Sequence, residues 1–479
     1  MSLPLYLVCI VVIVLLVSAF PLYQVSTSGY LFYVNGWDEA SYLQYDYARH
    51  VLELSSSGRA SQSLVVLAHE LGLSGGWINF VLDLAVTIFL LISLPALLHR
   101  FFMAKRDARV TAISLLGLPL LISNLNPIVE ALSTANLNSN TLSWLTVPVI
   151  NDPFWLRSPE PQISIIFASL FLYLSSLLEI WWLRLVPLPL LYPFIAIPLT
   201  FVYAALLLNR CFKKIFPGPM LACLAAAFLV SLVLKVYYAF FAGEFLKGYL
   251  IPTYLPLISF GGLLALGVYW RHSREPFFFK SVALFSIWFA VNFQMVSGFT
   301  IQPNNFEQYW SAGMFSLLLL LSVNQKARAV LGLISISLLA GWSYSNFRLN
   351  HEISLRLNLT PDLISDLASK DVIVAINDIP TSTRADMLLP KQGNTLFSYT
   401  RFYKKLPSLR FPEYACAKRA LGEDQRFTAV IEQADAYFKG GDQNAPLNTI
   451  LRVEHPSPVL PEGEAAICPV SVFVTRHEP

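Results

Sequence analysis

Residues Leu3–Tyr23 read LPLYLVCIVVIVLLVSAFPLY, an apolar run without a single charge. At 1.5 Å per residue, about 20 such residues cross the roughly 30 Å hydrocarbon layer of a bilayer. Similar runs recur near 77–98, 110–128, 162–180, 218–240, 255–270, 279–300, 309–323 and 327–346. The stretch 185–209 is also apolar but carries Pro187, Pro189, Pro193 and Pro198, which break helices. It reads as two short segments meeting near Ile197–Pro198. The fold class that follows is an α-helical polytopic membrane protein with about eleven transmembrane helices.

Composition agrees. Of 479 residues, 55% are hydrophobic and 13% charged, with mean hydropathy +0.57. About 25% charged is usual for a soluble domain, so a cytosolic enzyme is excluded. A disordered chain is excluded on the same ground. Five cysteines are too sparse for a disulfide scaffold. A net charge of +3 indicates no nucleic-acid partner. The charge is uneven: residues 348–479 hold 15 of the 33 basic and 16 of the 30 acidic residues. The chain therefore divides into a transmembrane module, 1–347, and a polar domain, 348–479.

Orientation follows from basic residues in the short loops. With eleven spans, one side carries Arg100, Lys105, Arg106, Arg109, Arg184, Arg210, Lys213, Lys214, Arg271, Arg274, Lys280, Lys326 and Arg328. The other side carries only Arg49, Arg59, Arg157 and Lys247. A single span at 185–209 would put Arg184 with the sparse set, so eleven is preferred. The N-terminus is then inside and the C-terminal domain outside the cytoplasm. The first run reads as a signal anchor, because no basic flank precedes it and no small-residue cleavage site follows. A bacterial inner membrane fits best.

Two outside loops are long, about 24–76 and 130–162. The first contains GYLFYVNGWDEASYLQYDYARHVLE, residues 29–53. From Glu39 onward it reads as a helix on the membrane surface, with Tyr42, Tyr45 and Leu52 apolar and Gln44 and Arg49 facing water. Asp38 stands at its N-cap, where a carboxylate is also an ordinary helix-starting residue.

An Asp-Glu pair in a first outside loop, behind a short first span, resembles the GT-C superfamily of integral-membrane glycosyltransferases. Members take a sugar from a polyprenyl-phosphate carrier and attach it to an acceptor outside the cytoplasm. WDEASYL, residues 37–43, is similar to the family's pattern of Asp-Glu, a small residue and an aromatic. The resemblance in architecture covers 1–347 and none of the tail. It implies that Asp38 acts as catalytic base or orients the acceptor, with Glu39 assisting. The chemistry is consistent: glycosyl transfer passes through an oxocarbenium-like state, and the attacking group must lose a proton.

The leaving phosphate needs positive charge or a divalent metal. The second loop ends INDPFWLRSPEPQIS, residues 150–164. Arg157 there is flanked by Pro159 and Pro161 and suits bidentate phosphate binding, although an interfacial arginine would look the same. Its Arg-x-Pro-x-Pro setting also resembles a pattern in bacterial GT-C-like proteins. Asp152 reads as a turn residue first and a second carboxylate or metal ligand next. Lys235 and Asp83 are ionisable residues within spans and default to function. They either pair, or Lys235 reaches the carrier phosphate. The turn SGFTIQPNNFEQYWS, residues 297–311, crowds Asn304, Asn305, Glu307, Gln308 and Tyr309 into a composition suited to sugar or acceptor. Glu179, beside Trp181, Trp182 and Arg184, reads as an interfacial anchor.

Nucleotide-binding glycine motifs and a GxSxG elbow are absent from the sequence. Its 7 His and 5 Cys show no metal-ligand spacing. The tail combines helix-like LTPDLISDLASK and AKRALGEDQRFTAVIEQADAYFKGG with strand-like DVIVAIND and CPVSVFVT, so it reads as a small extracytoplasmic α/β or α+β domain. Cys416 and Cys468 would pair in an oxidising compartment or stand as free thiols. The partners expected are a lipid-linked sugar donor, a lipid, glycan or protein acceptor, and membrane lipids. The competing readings are a transporter or flippase of lipid-linked saccharides, a polymerase or ligase, and a non-catalytic assembly protein. A transporter wants buried charges along a path and often inverted repeats, and no repeat is visible. A polymerase or ligase typically has its large loop late in the chain, whereas here it comes first.

Overall fold

The structure is a computed structural model that describes residues 1–31, 43–45, 48–49, 52, 59–133, 153–156, 159–211, 219–240, 250–255, 260–272, 284–289, 291–301, 306–357, 364–365, 367, 372–376, 385, 387–389, 450–454 and 474–476. The described chain is mostly helical. Four helices are long and apolar enough to cross a membrane: Leu3–Thr27, Gly75–Phe101, Pro193–Cys211 and Gln325–His351. The protein is accordingly membrane-associated.

In chain order the helices include α1 (Leu3–Ser28), α2 (Arg59–Glu70), α3 (Gly75–Phe101), α4 (Lys105–Ser133), α5 (Gln162–Leu177), α6 (Pro193–Cys211) and α7 (Pro219–Phe240). After these come α8 (Phe260–His272), the single turn α9 (Gln294–Ser297), α10 (Ala312–Ser322) and α11 (Gln325–Leu357). Two compact units divide them. One comprises 1–17, 56–60 and 83–345, the other 18–55, 61–82 and 346–479.

In the first unit the core gathers Tyr6, Ile13, Leu90, Leu116, Trp155, Ile195 and Trp342 from α1, α3, α4, α6, α11 and the approach to α5. α4 and α11 meet through small residues. Ser335 Oγ donates to the Ser114 carbonyl at 2.9 Å. A Cβ at Gly117 would run into the Ser335 backbone carbonyl. Small residues of this kind let membrane helices approach backbone to backbone. Gly117→Ala should therefore destabilise the module by about 1–3 kcal/mol, the usual cost of overpacking. The check is the thermal unfolding midpoint in detergent. An unchanged midpoint would mean that the two helices can part without loss.

The path between α5 and α6 differs from the sequence expectation. Two 3-10 turns, Trp181–Arg184 and Leu188–Leu190, replace a helix. Arg184 Nε donates to Ser175 Oγ at 2.8 Å, and the Tyr192 N–H donates to Ser164 Oγ at 2.7 Å. Ser175 and Ser164 stand about 16 Å apart along α5. Residues 184–192 thus run back along the helix. The two segments meet at Leu191–Pro193, not at Ile197–Pro198. Pro193 opens α6, where its missing N–H costs nothing. Pro198 lies inside that helix and removes only the bond to the Phe194 carbonyl. As a result α5 and α6 begin at the same end of the unit.

The stretch 279–300, expected as one span, is also broken. A π-helical turn, Leu284–Phe289, precedes α9, which ends at Gly298 with φ +81°. The chain then enters β2 (Phe299–Ile301), antiparallel to β1 (Leu250–Pro252). Buried Asn292 and Gln294 interrupt the apolar run where a membrane helix would continue.

In the second unit, Phe20, Leu31, Leu367, Val374, Ala385 and Leu388 form one core. Leu43, Ala48, Val65, Ile78 and Met387 form another. Three antiparallel strands, β3 (Val372–Ile376), β4 (Ile450–Glu454) and β5 (Val474–Arg476), make a sheet in the order β3-β4-β5. β3 falls in DVIVAIND and β5 overlaps the end of CPVSVFVT. β4 carried no sequence expectation.

The loop helix expected after Glu39 shows in part: Tyr45, Ala48, Arg49 and Leu52 are helical. The buried side chains there are Leu43 and Ala48, packed into protein. Tyr45, expected at a lipid interface, donates its hydroxyl to Glu70 at 2.6 Å. Arg49 is exposed, in line with the sequence.

Candidate functional site

The first unit has two chemically opposite ends. At one end α3 and α5 finish. Arg100 Nε donates to Ser176 Oγ at 3.0 Å, and Arg184 reaches Ser175 beside it. The Met1 ammonium donates to the Arg106 carbonyl at 3.3 Å. Arg328 pairs with Asp107 at 3.5 Å and donates to the Leu320 carbonyl at 2.7 Å. Arg100, Arg106, Arg184 and Arg328 of the charge-rich set thus gather where α3, α5 and α10 end and α1, α4 and α11 begin.

The head of α5 is acidic and polar, and it is buried. Gln162 and Asp83 are wholly buried, and Glu160 is 9% exposed. Gln162 Nε2 donates to Asp83 Oδ1. Ser164 donates to Glu160 Oε2 at 2.7 Å, and the Ser164 oxygen accepts the Tyr192 N–H. Thr87 donates to the Asp83 carbonyl at 2.6 Å. Local sequence explains the placement. Proline at 159 and 161 brackets Glu160 and stops the chain from turning helical before 162. Gln162 and Ser164 then lie in the first turns of α5, where the backbone is least satisfied internally. Two carboxylates buried among apolar helices are costly unless paired or used.

Beside this cluster lies an aromatic wall. Tyr192 stands 5.0 Å from Phe194 and 6.0 Å from Tyr309, centroid to centroid. Phe194 meets Phe306 edge-on at 4.8 Å, and Phe306 meets Phe293 at 5.7 Å. Trp310, Val230 and Ala227 complete the packing.

Asp38, Glu39, Asp152, Arg157, Asn304, Asn305, Cys416 and Cys468 lie outside the described residues. Glu307 sits in the π-helical turn Glu307–Ser311, with its side chain not described. Gln308 is half-buried in that same turn, between the aromatic residues Phe306 and Tyr309. Lys235 is exposed on α7, whereas Asp83 is buried with Gln162 as a partner. The suggested Asp83–Lys235 pairing is therefore replaced by an amide-carboxylate bond, because the two groups occupy different environments. Glu179 is exposed, with φ 58°, just past the end of α5.

Glu160, Gln162, Ser164 and Tyr192 were not singled out by sequence. The available signal was a polar triplet opening an otherwise apolar run. Among the described residues no group of three or more His, Cys, Asp or Glu is placed to hold a metal ion. No protein-family model matches the chain, and no curated protein or solved structure matches it.

Proposed function

We propose that this protein is an integral-membrane glycosyltransferase of the GT-C type. It moves a sugar from a polyprenyl-phosphate carrier to a lipid, glycan or protein acceptor on the extracytoplasmic side of a bacterial inner membrane. Asp38 serves as base with Glu39 assisting, and Arg157 holds the carrier phosphate, with Lys235, Asn305, Glu307 and Gln308 as further substrate contacts. About eleven crossings and an outside C-terminal α/β or α+β domain belong to this reading.

The observation that carries it is the placement of the buried Asp83–Gln162 and Glu160–Ser164 pairs. They stand at the end of α5 opposite the gathered arginines. By the positive-inside rule the arginine end faces the cytoplasm, so the carboxylates stand outside, where lipid-linked sugars are presented. The return of residues 184–192 along α5 supports the odd number of crossings. Glu160 is also three residues from Arg157 in the chain.

The test uses the full chain in lipid nanodiscs with radiolabelled polyprenyl-phosphate sugars and an envelope extract as acceptor. Label should pass from the carrier to the acceptor. Arg157→Ala should raise the donor KM at least tenfold and leave the acceptor KM unchanged, since a bidentate charge-assisted contact to phosphate is lost. Equal effects on both substrates would reduce Arg157 to a membrane anchor. In sealed vesicles, labelled donor crossing the bilayer without transfer would replace the enzyme by a carrier translocator.

A further inference from the structure

α3 and α5 are tied at both ends. Gln162 meets Asp83 at the head of α5, and Arg100 meets Ser176 at its foot. At the second tie, guanidinium groups from two different elements land on consecutive residues. Arg100 Nε donates to Ser176 Oγ at 3.0 Å, and its Nη2 donates to the Ser176 carbonyl at 3.2 Å. Arg184 closes the 3-10 turn Trp181–Arg184 and donates its Nε to Ser175 Oγ at 2.8 Å. The bend that brings it there passes through Glu179 at φ 58°, a left-handed conformation that residues with a side chain seldom adopt.

Neither arginine has a carboxylate partner among the described residues. Glu179 is exposed and bonds neither of them, although it follows Ser176 closely in the chain. Arg328 at the same end differs, because Asp107 balances its charge and the Leu320 carbonyl takes its Nε. A helix C-terminus attracts cations, and that accounts for Arg100 on a late carbonyl of α5. It does not account for Arg184, which bonds a hydroxyl. The serines hold both groups through Nε. Nη1 of Arg100 and both terminal nitrogens of Arg184 carry no bond among the described residues. Paired guanidinium donors held in place suit a phosphate.

The surroundings narrow the anion. Leu170, Tyr173 and Leu177 recur at i, i+3 and i+7 on α5, and all three are exposed. They form one apolar stripe that ends beside Ser176. Leu178 and Trp182, between Ser176 and Arg184 in the chain, are exposed as well. Tryptophan in such a place is an ordinary marker of the membrane–water boundary. A small polar phosphate makes no use of the stripe. A phosphate head on an acyl tail uses both the stripe and the arginines.

We propose that Arg100 and Arg184 hold the headgroup phosphate of an anionic phospholipid, with an acyl chain lying along Leu170, Tyr173 and Leu177. The site stands at the end of the unit opposite the buried carboxylates and does not depend on the transferase activity. A phosphate between the two guanidinium groups links the end of α3 to the segment that leads into α6. Bound lipid therefore stabilises the unit. A zwitterionic lipid offers the same phosphate with a cation beside it, and the arginines repel that cation.

The experiment uses the full chain in a neutral detergent with limiting phosphatidylglycerol, phosphatidylcholine or polyprenyl phosphate. Native mass spectrometry reads the lipid retained. Phosphatidylglycerol should bind about tenfold more tightly than phosphatidylcholine, because the bonds to it are charge-assisted. It should also raise the thermal midpoint, as a ligand of the folded state does. Arg100→Gln and Arg184→Gln should each cut the preference about fivefold, since each removes one of two charge-assisted contacts. Arg271→Gln removes an exposed arginine from the end of α8 and should leave the preference unchanged. Equal losses in all three variants would reduce the effect to net charge and overturn the proposal. Tighter retention of polyprenyl phosphate than of phosphatidylglycerol would also overturn it and assign the arginines to the carrier. If the arginine variants do not fold, the wild type decides. Phosphatidylglycerol with a photoreactive acyl chain should label α5 between Leu170 and Leu177. Label spread equally over α5 and the exposed stripe of α7, Leu221, Leu224, Phe228 and Leu232, would sink the proposal.

Discussion

Asp38→Asn should reduce sugar transfer by about 10²–10⁴-fold, the range a positioned general base contributes. The acceptor must shed a proton as it attacks the anomeric carbon, and an amide cannot take it. Size and hydrogen-bonding reach are preserved, so insertion and folding should survive. The check is turnover of a labelled polyprenyl-phosphate sugar by wild type and variant at equal folded concentration, measured by size exclusion. Glu39→Gln should cost less, since the second carboxylate assists. Full turnover by Asp38→Asn would remove Asp38 from the base role and leave it as a helix cap.

Asp83→Leu should lower stability by about 1–3 kcal/mol. The aspartate accepts the Gln162 amide in a site with no exposure to solvent. Truncating one partner takes this bond from the other and leaves its desolvation cost. Replacing both partners behaves differently, because neither half of this bond is then left behind. The double variant Asp83→Leu/Gln162→Leu should recover most of the loss, and the cycle measures the coupling. Asp83→Asn keeps an acceptor oxygen and should fall between. The readout is the unfolding midpoint in nanodiscs. A rise in stability for Asp83→Leu would mean that burying the carboxylate costs more than its bonds return. Asp83 would then be retained for function alone.

The sequence singled out both residues in different ways, and of the two only Asp83 lies among the described residues. Asp38 stood out because Asp-Glu follows the first apolar run directly. Asp83 stood out because a carboxylate interrupts another such run. Its partner was not legible. Gln162 lies 79 positions away, and an amide at the head of a helix looks like any polar residue at a span boundary. The pairing exists only because α3 and α5 pack side by side. The same holds for Tyr192 and Ser164, joined across 28 positions. The proline-rich stretch 185–198 showed that a helix must break. It did not show where, because Pro193 is at home in a first helical turn and Pro198 is tolerated inside one.

By itself the sequence determined the membrane character, since apolar runs of about 20 residues have no other solvent in which their surface is stable. The sorting of basic residues to two sides is an expectation from composition along the chain, and the structure brings Arg100, Arg106, Arg184 and Arg328 of one set to one end. Tertiary structure alone decided which polar atoms are satisfied and which are left open. Satisfaction depends on distances between residues on different helices, and those distances follow from packing. Gln162 and Tyr192 carry no motif, and only the bonds that tie them to Asp83 and Ser164 mark them.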